Sequence, residues 1–123
     1  MDIKTKELLE RTFRFGVEIL KFLKSLPNDY IFNIPKGQLA KSATSIGSNY
    51  EESQASESKK DFIHKIGIVC KEARESHYWL RVLKAIFPEK RWEEQFNNFI
   101  TEAEEFRKIF TSIKLSAENG KKR

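Results

Sequence analysis

The sequence predicts an all-α protein, an antiparallel up-and-down four-helix bundle that forms one domain over residues 1–123. Apolar residues recur at steps of three and four almost throughout the chain, as they do along one face of a helix. No stretch alternates apolar and polar residues over a useful length, as a half-buried strand would. Five glycines and three prolines leave few turns, so we expect long helices joined by short connections.

The first helix is expected at about residues 4–26, and it carries two neighbouring apolar lines. Together the lines cover about half of the helix circumference. The first line is Leu9, Phe13, Gly16, Leu20 and Leu23, and the second is Leu8, Phe15, Ile19, Phe22 and Leu26. Pro27 ends this helix because proline lacks the amide donor. Residues 27–36 are expected to form a loop.

The second helix is expected at about residues 37–55, although its segment SATSIGSNYEES (42–53) is rich in poor helix formers. Small side chains let two helices approach closely, so this segment predicts a tight helix–helix contact. Polar groups buried there must pair, because an unpaired one costs about 1–3 kcal/mol. We therefore expect a polar network, within one subunit or between subunits. Its members are Ser45, Asn49 and Glu52 of the second helix and Glu72 of the third.

The third and fourth helices are expected at about residues 59–87 and 89–117. Ser58 followed by Asp61 resembles a capping box at the start of the third helix. Pro88 separates the two helices, and the fourth has the most regular apolar repeat in the chain. A basic tail at 118–123 follows it.

The first and third helices have more apolar surface than a monomeric bundle would bury. A monomer covers about one stripe of each helix, so the surplus predicts self-association. The alternative is that the segment YIFNIP (30–35) folds back over the extra surface. The residues assigned to the subunit interface are Leu8, Phe15, Ile19, Phe22, Trp79 and Ile86.

No catalytic or metal-binding pattern stands out in the sequence. The Glu-x-x-His pairs of di-iron bundles are missing, and Asp61 with His64 is the nearest approach. A Gly-x-Ser-x-Gly elbow and a phosphate-binding glycine-rich loop are also missing. Cys70 lies beside the core stripe, where an inert buried thiol is expected. We therefore expect no enzyme activity, no cofactor and no metal site.

The protein is expected to be cytoplasmic. A single cysteine excludes an internal disulfide and fits a reducing compartment. The N-terminal residues lack the apolar run of a signal peptide, and no stretch approaches the length of a membrane span. We expect no membrane partner.

Positive charge is concentrated in the third helix. The chain has a net charge of +5, and residues 58–87 carry seven basic and three acidic side chains. A basic stripe that includes one tyrosine, Tyr78, is suited to contact phosphates of RNA or DNA. The residues assigned to this contact are Lys60, Lys71, Arg74, Arg81, Lys121, Lys122 and Arg123. The alternatives are a solvated helix face, and a structural or adaptor bundle that binds a protein partner and no nucleic acid.

Residues 38–83 resemble a known family through an ordered set of short motifs. These are Ser45, Ile46, Asn49 and Glu52, then Ser58, then Lys71, Glu72, Ala73, Glu75, Tyr78, Trp79 and Leu80. The combination resembles the four-helix bundle proteins encoded in intervening sequences of bacterial large-subunit ribosomal RNA genes. The resemblance implies left-handed bundles assembled as homopentamers, with no established activity for most members. Accessory proteins of diversity-generating retroelements are similar in fold, and they are basic pentamers thought to bind nucleic acid and a reverse transcriptase.

Overall fold

The computed structural model describes residues 1–120, which fold into four α-helices. They are α1 (Ile3–Ser25), α2 (Asn33–Ser53), α3 (Lys59–Ile86) and α4 (Lys90–Glu118). Each helix packs against the next one along the chain. Aromatic rings of α1 and α4 also meet, and this contact closes the bundle. The predicted all-α antiparallel up-and-down four-helix bundle is confirmed.

Helix α2 begins at Asn33, four residues before the predicted start at residue 37. The predicted loop was too long because the segment after Pro27 already contains helix-starting bonds. The Asp29 carboxylate accepts the amide of Ile31 at 2.9 Å, and the Asp29 carbonyl accepts the amide of Asn33 at 2.8 Å. Pro35 then lies in the first turn, where a missing amide donor leaves no intrahelical bond unmade.

Side-chain caps fix the beginnings of α1 and α3. Asp2 accepts the amide of Thr5 at 2.8 Å, and Ser58 accepts the amide of Asp61 at 3.0 Å. The second bond confirms the capping expected of Ser58. Such a cap satisfies one of the amides that the first turn of a helix leaves without a partner.

The assignment of Phe15, Ile19 and Phe22 to a subunit interface was wrong, because all three lie in the core of the subunit. The Phe15 ring lies 5.3 Å from that of Phe106, and the Phe22 ring lies 4.8 Å from that of Phe96. These large rings fill the space between α1 and α4. The first apolar line of α1 therefore faces outward in part.

The rotation of α1 about its own axis, which decides which apolar line is buried, follows from its close approach to α2. Glycines allow this approach. A Cβ atom added to Gly47 would lie 3.2 Å from the carbonyl oxygen of Thr12, and one added to Gly16 would lie 3.4 Å from Cα of Thr44. Because Gly16 of the first apolar line contacts α2, the second line, with Phe15 and Phe22, faces α4. The tight helix–helix contact predicted from SATSIGSNYEES is thus found between α2 and α1.

We expect Gly47→Ala to lower the free energy of unfolding by about 1 kcal/mol net. The added methyl group would press on the backbone of α1, and such overpacking costs about 1–3 kcal/mol. The gain in helix propensity, about 1 kcal/mol, offsets only part of this cost. Urea denaturation followed by circular dichroism would measure the change.

The matched control is Gly37→Ala in the same helix, where a Cβ atom would meet nothing within 4 Å. This variant gains helix propensity without a clash, so it should be more stable by about 0.5–1 kcal/mol. Equal stabilisation by both substitutions would contradict the close contact between α1 and α2.

Candidate nucleic-acid interface

The outer face of α3 presents a row of exposed basic side chains, Lys60, Lys71, Arg74 and Arg81, hereafter the basic row. Their spacings of eleven, three and seven residues bring all four to one face of a helix. At a rise of 1.5 Å per residue, the row is about 30 Å long. Tyr78 is exposed on the same face. The structure thus brings together the four predicted α3 residues, and Lys121, Lys122 and Arg123 lie outside the described residues.

Most of the basic row is not neutralised by neighbouring carboxylates. Lys71 lies 3.8 Å from Glu75, and their side chains are 61% and 42% exposed, so solvent weakens the attraction between them. Within residues 1–120, none of the ion pairs includes Lys60, Arg74 or Arg81. The charges of the row are therefore available to an external anion.

Some basic side chains outside the basic row are held by short ion pairs. Arg107 lies 2.6 Å from Glu104, and Lys65 lies 2.8 Å from Asp61. These pairs lower the pKa of the Glu104 and Asp61 carboxyl groups, in each case chiefly through the hydrogen bond from the basic partner. Pairing alone does not set the basic row apart, because Lys59, Lys84 and Lys108 are also in none of the ion pairs of residues 1–120. The row is distinguished by the alignment of its exposed side chains on one face of α3.

A shallow cleft of about 460 Å³, wide open to solvent, lies between α2 and the middle of the basic row. Its lining residues are Gln38, Lys71, Arg74, Glu75, Tyr78 and Trp79. Tyr78 is 52% exposed, and its ring lies perpendicular to that of Trp79 with 4.9 Å between the centroids. Trp79 itself is half-buried and packs against the core. Gln38 was missed by the sequence reasoning as part of this site, because only the packing of α2 on α3 brings it there.

The polar network expected around Glu72 is not formed within one subunit. Asn49 donates its side-chain amide to the carbonyl of Ser45 at 2.8 Å, and the Ser45 hydroxyl donates to the carbonyl of Lys41 at 2.7 Å. Glu52 is exposed. Within the part of the chain that the structure describes, no hydrogen bond joins Glu72 to these side chains. The network between subunits stays a prediction.

The buried polar contact between α2 and α3 is instead formed by two serines. The Ser76 hydroxyl donates to the Ser42 hydroxyl at 2.9 Å, and Ser42 in turn donates to the carbonyl of Leu39. Both serines are buried, and these hydrogen bonds give each hydroxyl a partner without water. The signal for this pair in the sequence was the position of Ser76 in the apolar stripe of the third helix and of Ser42 beside the stripe of the second.

Glu72 is half-buried on the α2 side of α3. Burial raises the pKa of its carboxyl group, and the nearby charge of Glu75 raises it further. A raised pKa favours the neutral acid. Protonation of Glu72 would remove a negative charge and so make the net charge of this helix more positive. The residue lies beside the basic row and is not a member of it.

Part of the exposed apolar surface of the bundle lies in a groove between α1 and α2, hereafter the α1–α2 groove, and Ile31 and Ile34 are exposed outside it. The groove has a volume of about 480 Å³, and its lining includes Leu9, Phe13, Gly16, Val17, Leu20 and Gly47. Phe13 is 62% exposed. Leu8, Trp79 and Ile86, which were also assigned to a subunit interface, are half-buried and pack against the core. The surplus apolar surface of α1 thus lies on its first apolar line, which includes Phe13 and Leu20.

Cys70 and the acidic residues form no metal centre within residues 1–120. The Cys70 thiol is buried, and its sulfur lies 3.9 Å from the hydroxyl oxygen of Thr111. In the described part of the chain, no helix has the length and apolar character needed to cross a membrane.

An all-α four-helix bundle with a basic outer face is the class of protein that this fold and site define. The chain belongs to the 23S rRNA-intervening sequence protein family, whose model matches residues 4–112. The resemblance seen in residues 38–83 is thereby confirmed and extended to all four helices.

A solved structure supports the same fold. It is a protein with unknown function from the S23 ribosomal protein family of Bacteroides thetaiotaomicron VPI-5482, and it superposes with a TM-score of 0.78. The two chains are 31% identical, and the match covers 91% of this chain and 98% of the other. No curated protein is significantly similar to the chain. Neither the family nor the solved structure indicates an enzyme family.

Proposed function

We propose that the chain is a non-catalytic, nucleic-acid-binding accessory protein whose contact surface is the basic row. One observation carries the proposal: Lys60, Arg74 and Arg81 are aligned and exposed, and they take part in none of the ion pairs among residues 1–120. Unpaired basic side chains are common on the surface of a soluble protein, so it is the alignment of these on one helix face that favours a polyanion. The single cysteine suits work in the reducing cytoplasm.

The basic row acts through the phosphate backbone of RNA or DNA. Its length of about 30 Å corresponds to roughly nine base-pair steps along the axis of a B-form duplex at 3.4 Å each, so its four side chains can reach separate phosphates. Each side chain that approaches a phosphate releases condensed counterions, and this release supplies the affinity. Phosphate contacts of this kind position the protein without reading base sequence.

The proposal is tested by titrating the protein into labelled structured RNA and labelled duplex DNA, with anisotropy as the readout. Contact with about four phosphates should lower the affinity about a hundredfold between ~50 and ~200 mM salt. Absence of binding to both nucleic acids at the lower salt concentration would overturn the proposal.

We further propose that the protein assembles with itself, as a homopentameric ring, through the α1–α2 groove. The support is the exposure of Phe13 and Leu20, large apolar side chains that a water-exposed monomer leaves uncovered. A ring would repeat the basic row in every subunit, so the fields of the rows would add. Light scattering after gel filtration should give five times the chain mass of 14.5 kDa.

The alternative function is a structural or adaptor bundle that binds another protein and no nucleic acid. The same α1–α2 groove favours it, because a groove left open by a monomer is available to a different chain. A stable monomer that binds neither RNA nor DNA would support this alternative over the ring and the basic row.

A further inference from the structure

We propose that the cleft between Gln38 and Tyr78 takes one unpaired nucleobase, so that the preferred ligand is RNA or DNA with unpaired bases. The inference rests on the proposed function and names its substrate class. It goes beyond phosphate contact, because a row of basic residues by itself does not distinguish a single strand from a duplex.

The first step is the position of the Tyr78 ring. The ring is 52% exposed on the outer face of α3, and burial in the core therefore does not explain it. Its edge-to-face contact with Trp79, with 4.9 Å between the centroids, restricts the orientation of the ring. Because Trp79 is itself packed against the core, little conformational freedom is lost when a ligand stacks on Tyr78.

The second step is the chemistry around this ring. Lys71 and Arg74 line the same cleft of about 460 Å³, so a phosphate next to the stacked base would meet two cations. Gln38 reaches the cleft from α2 and offers both a donor and an acceptor to the edge of a base. Glu75 also lines the cleft, 3.8 Å from Lys71, where its carboxylate accepts hydrogen bonds and repels phosphate. These groups favour a base inside the cleft with its phosphate toward Arg74 and Lys71.

The third step is the access that a base needs to reach Tyr78. In a continuous duplex the faces of the bases are covered by their neighbours in the stack. Single strands, loops and bulges expose those faces, and proteins that bind them stack the bases on aromatic side chains. A duplex would therefore contact the basic row alone, whereas a single strand would add the stacking contact.

The test compares Tyr78→Ala with Tyr78→Phe, using a labelled single-stranded RNA and a fully paired duplex RNA of equal length. Stacking of one base on an aromatic ring is worth about 5- to 150-fold in affinity. Tyr78→Ala should therefore weaken single-strand binding about tenfold or more and change duplex binding less than twofold. Tyr78→Phe keeps the ring and should bind like the original protein. Tyr30→Ala, at an exposed tyrosine in the loop before α2, serves as the control and should also bind like the original protein.

The outcomes separate this inference from the function on which it rests. Salt-sensitive binding in which Tyr78→Ala weakens single strand and duplex equally, or neither, would overturn the base-stacking inference and leave the proposed function standing. Absence of binding at ~50 mM salt to both RNAs, and also to single-stranded and duplex DNA, would overturn both. Circular dichroism should show unchanged helix content in Tyr78→Ala, because the substituted ring is exposed.

Discussion

Replacing Phe15 with alanine is expected to lower the free energy of unfolding by about 3–5 kcal/mol, the usual range for a buried phenylalanine. Only 4% of Phe15 is exposed, and its ring makes edge-to-face contacts with Phe99 and Phe106 at 6.1 and 5.3 Å. Removal of the ring would leave a cavity where α1 meets α4. Urea denaturation followed by circular dichroism would measure the loss.

Phe13→Ala is the matched control, because it removes the same side chain two residues away on α1. Phe13 is 62% exposed, so the cost to the single chain should stay within about 0.5 kcal/mol. The comparison belongs at a dilution where light scattering finds single chains, because assembly also adds to apparent stability. A larger loss for Phe13→Ala than for Phe15→Ala would mean that α1 presents its other apolar line to the core.

Reversing two charges of the basic row, Lys71→Glu with Arg74→Glu, is expected to abolish binding to RNA and DNA. Both side chains are exposed on the outer face of α3, and Arg74 is in none of the ion pairs of residues 1–120. The substitution removes two phosphate contacts and replaces them with repulsion. If weak binding remains, its dependence on the logarithm of salt concentration should be shallower by about two units.

The control for this experiment is Lys4→Glu with Lys6→Glu on α1. It changes the net charge by the same amount, and both lysines are exposed. Glutamates near the beginning of a helix also suit its dipole, so the fold should tolerate the change. Equal losses of affinity in the two double variants would show that net charge alone drives binding. Undiminished affinity in the Lys71 and Arg74 variant would sink the assignment of the basic row.

The sequence was sufficient to predict four helices, apart from the first turn of α2, because apolar spacing and caps are local. It did not determine the rotation of α1, since both of its lines are apolar. Which line is buried depends on the neighbour: Gly16 meets the backbone of α2, and the rings of Phe15 and Phe22 fill the space toward α4. That choice is made by packing between helices, and a single helix does not carry the information.

The polar network failed as a prediction within the subunit for a different reason. Serine and asparagine in a helix can bond to the carbonyl one turn earlier, and Ser45 and Asn49 both do so. Sequence spacing shows which side chains share a face but not whether they satisfy themselves locally.

The candidate site likewise has a part that could be predicted from the sequence and a part that could not. The basic row could be predicted because its members lie on one helix at regular spacings. The cleft beside it could not, because Gln38 belongs to α2 and reaches Tyr78 and Trp79 only through the packing of two helices.

The central claim is that the outer face of α3 binds nucleic acid, and ultraviolet cross-linking tests it most directly. A bound single-stranded RNA would be cross-linked to the protein, and mass spectrometry would identify the modified peptides. The account predicts RNA adducts on peptides within residues 60–81, with Tyr78 or Trp79 carrying the largest share. Adducts confined to α1 or α4 would contradict it and move the binding surface to another face of the bundle.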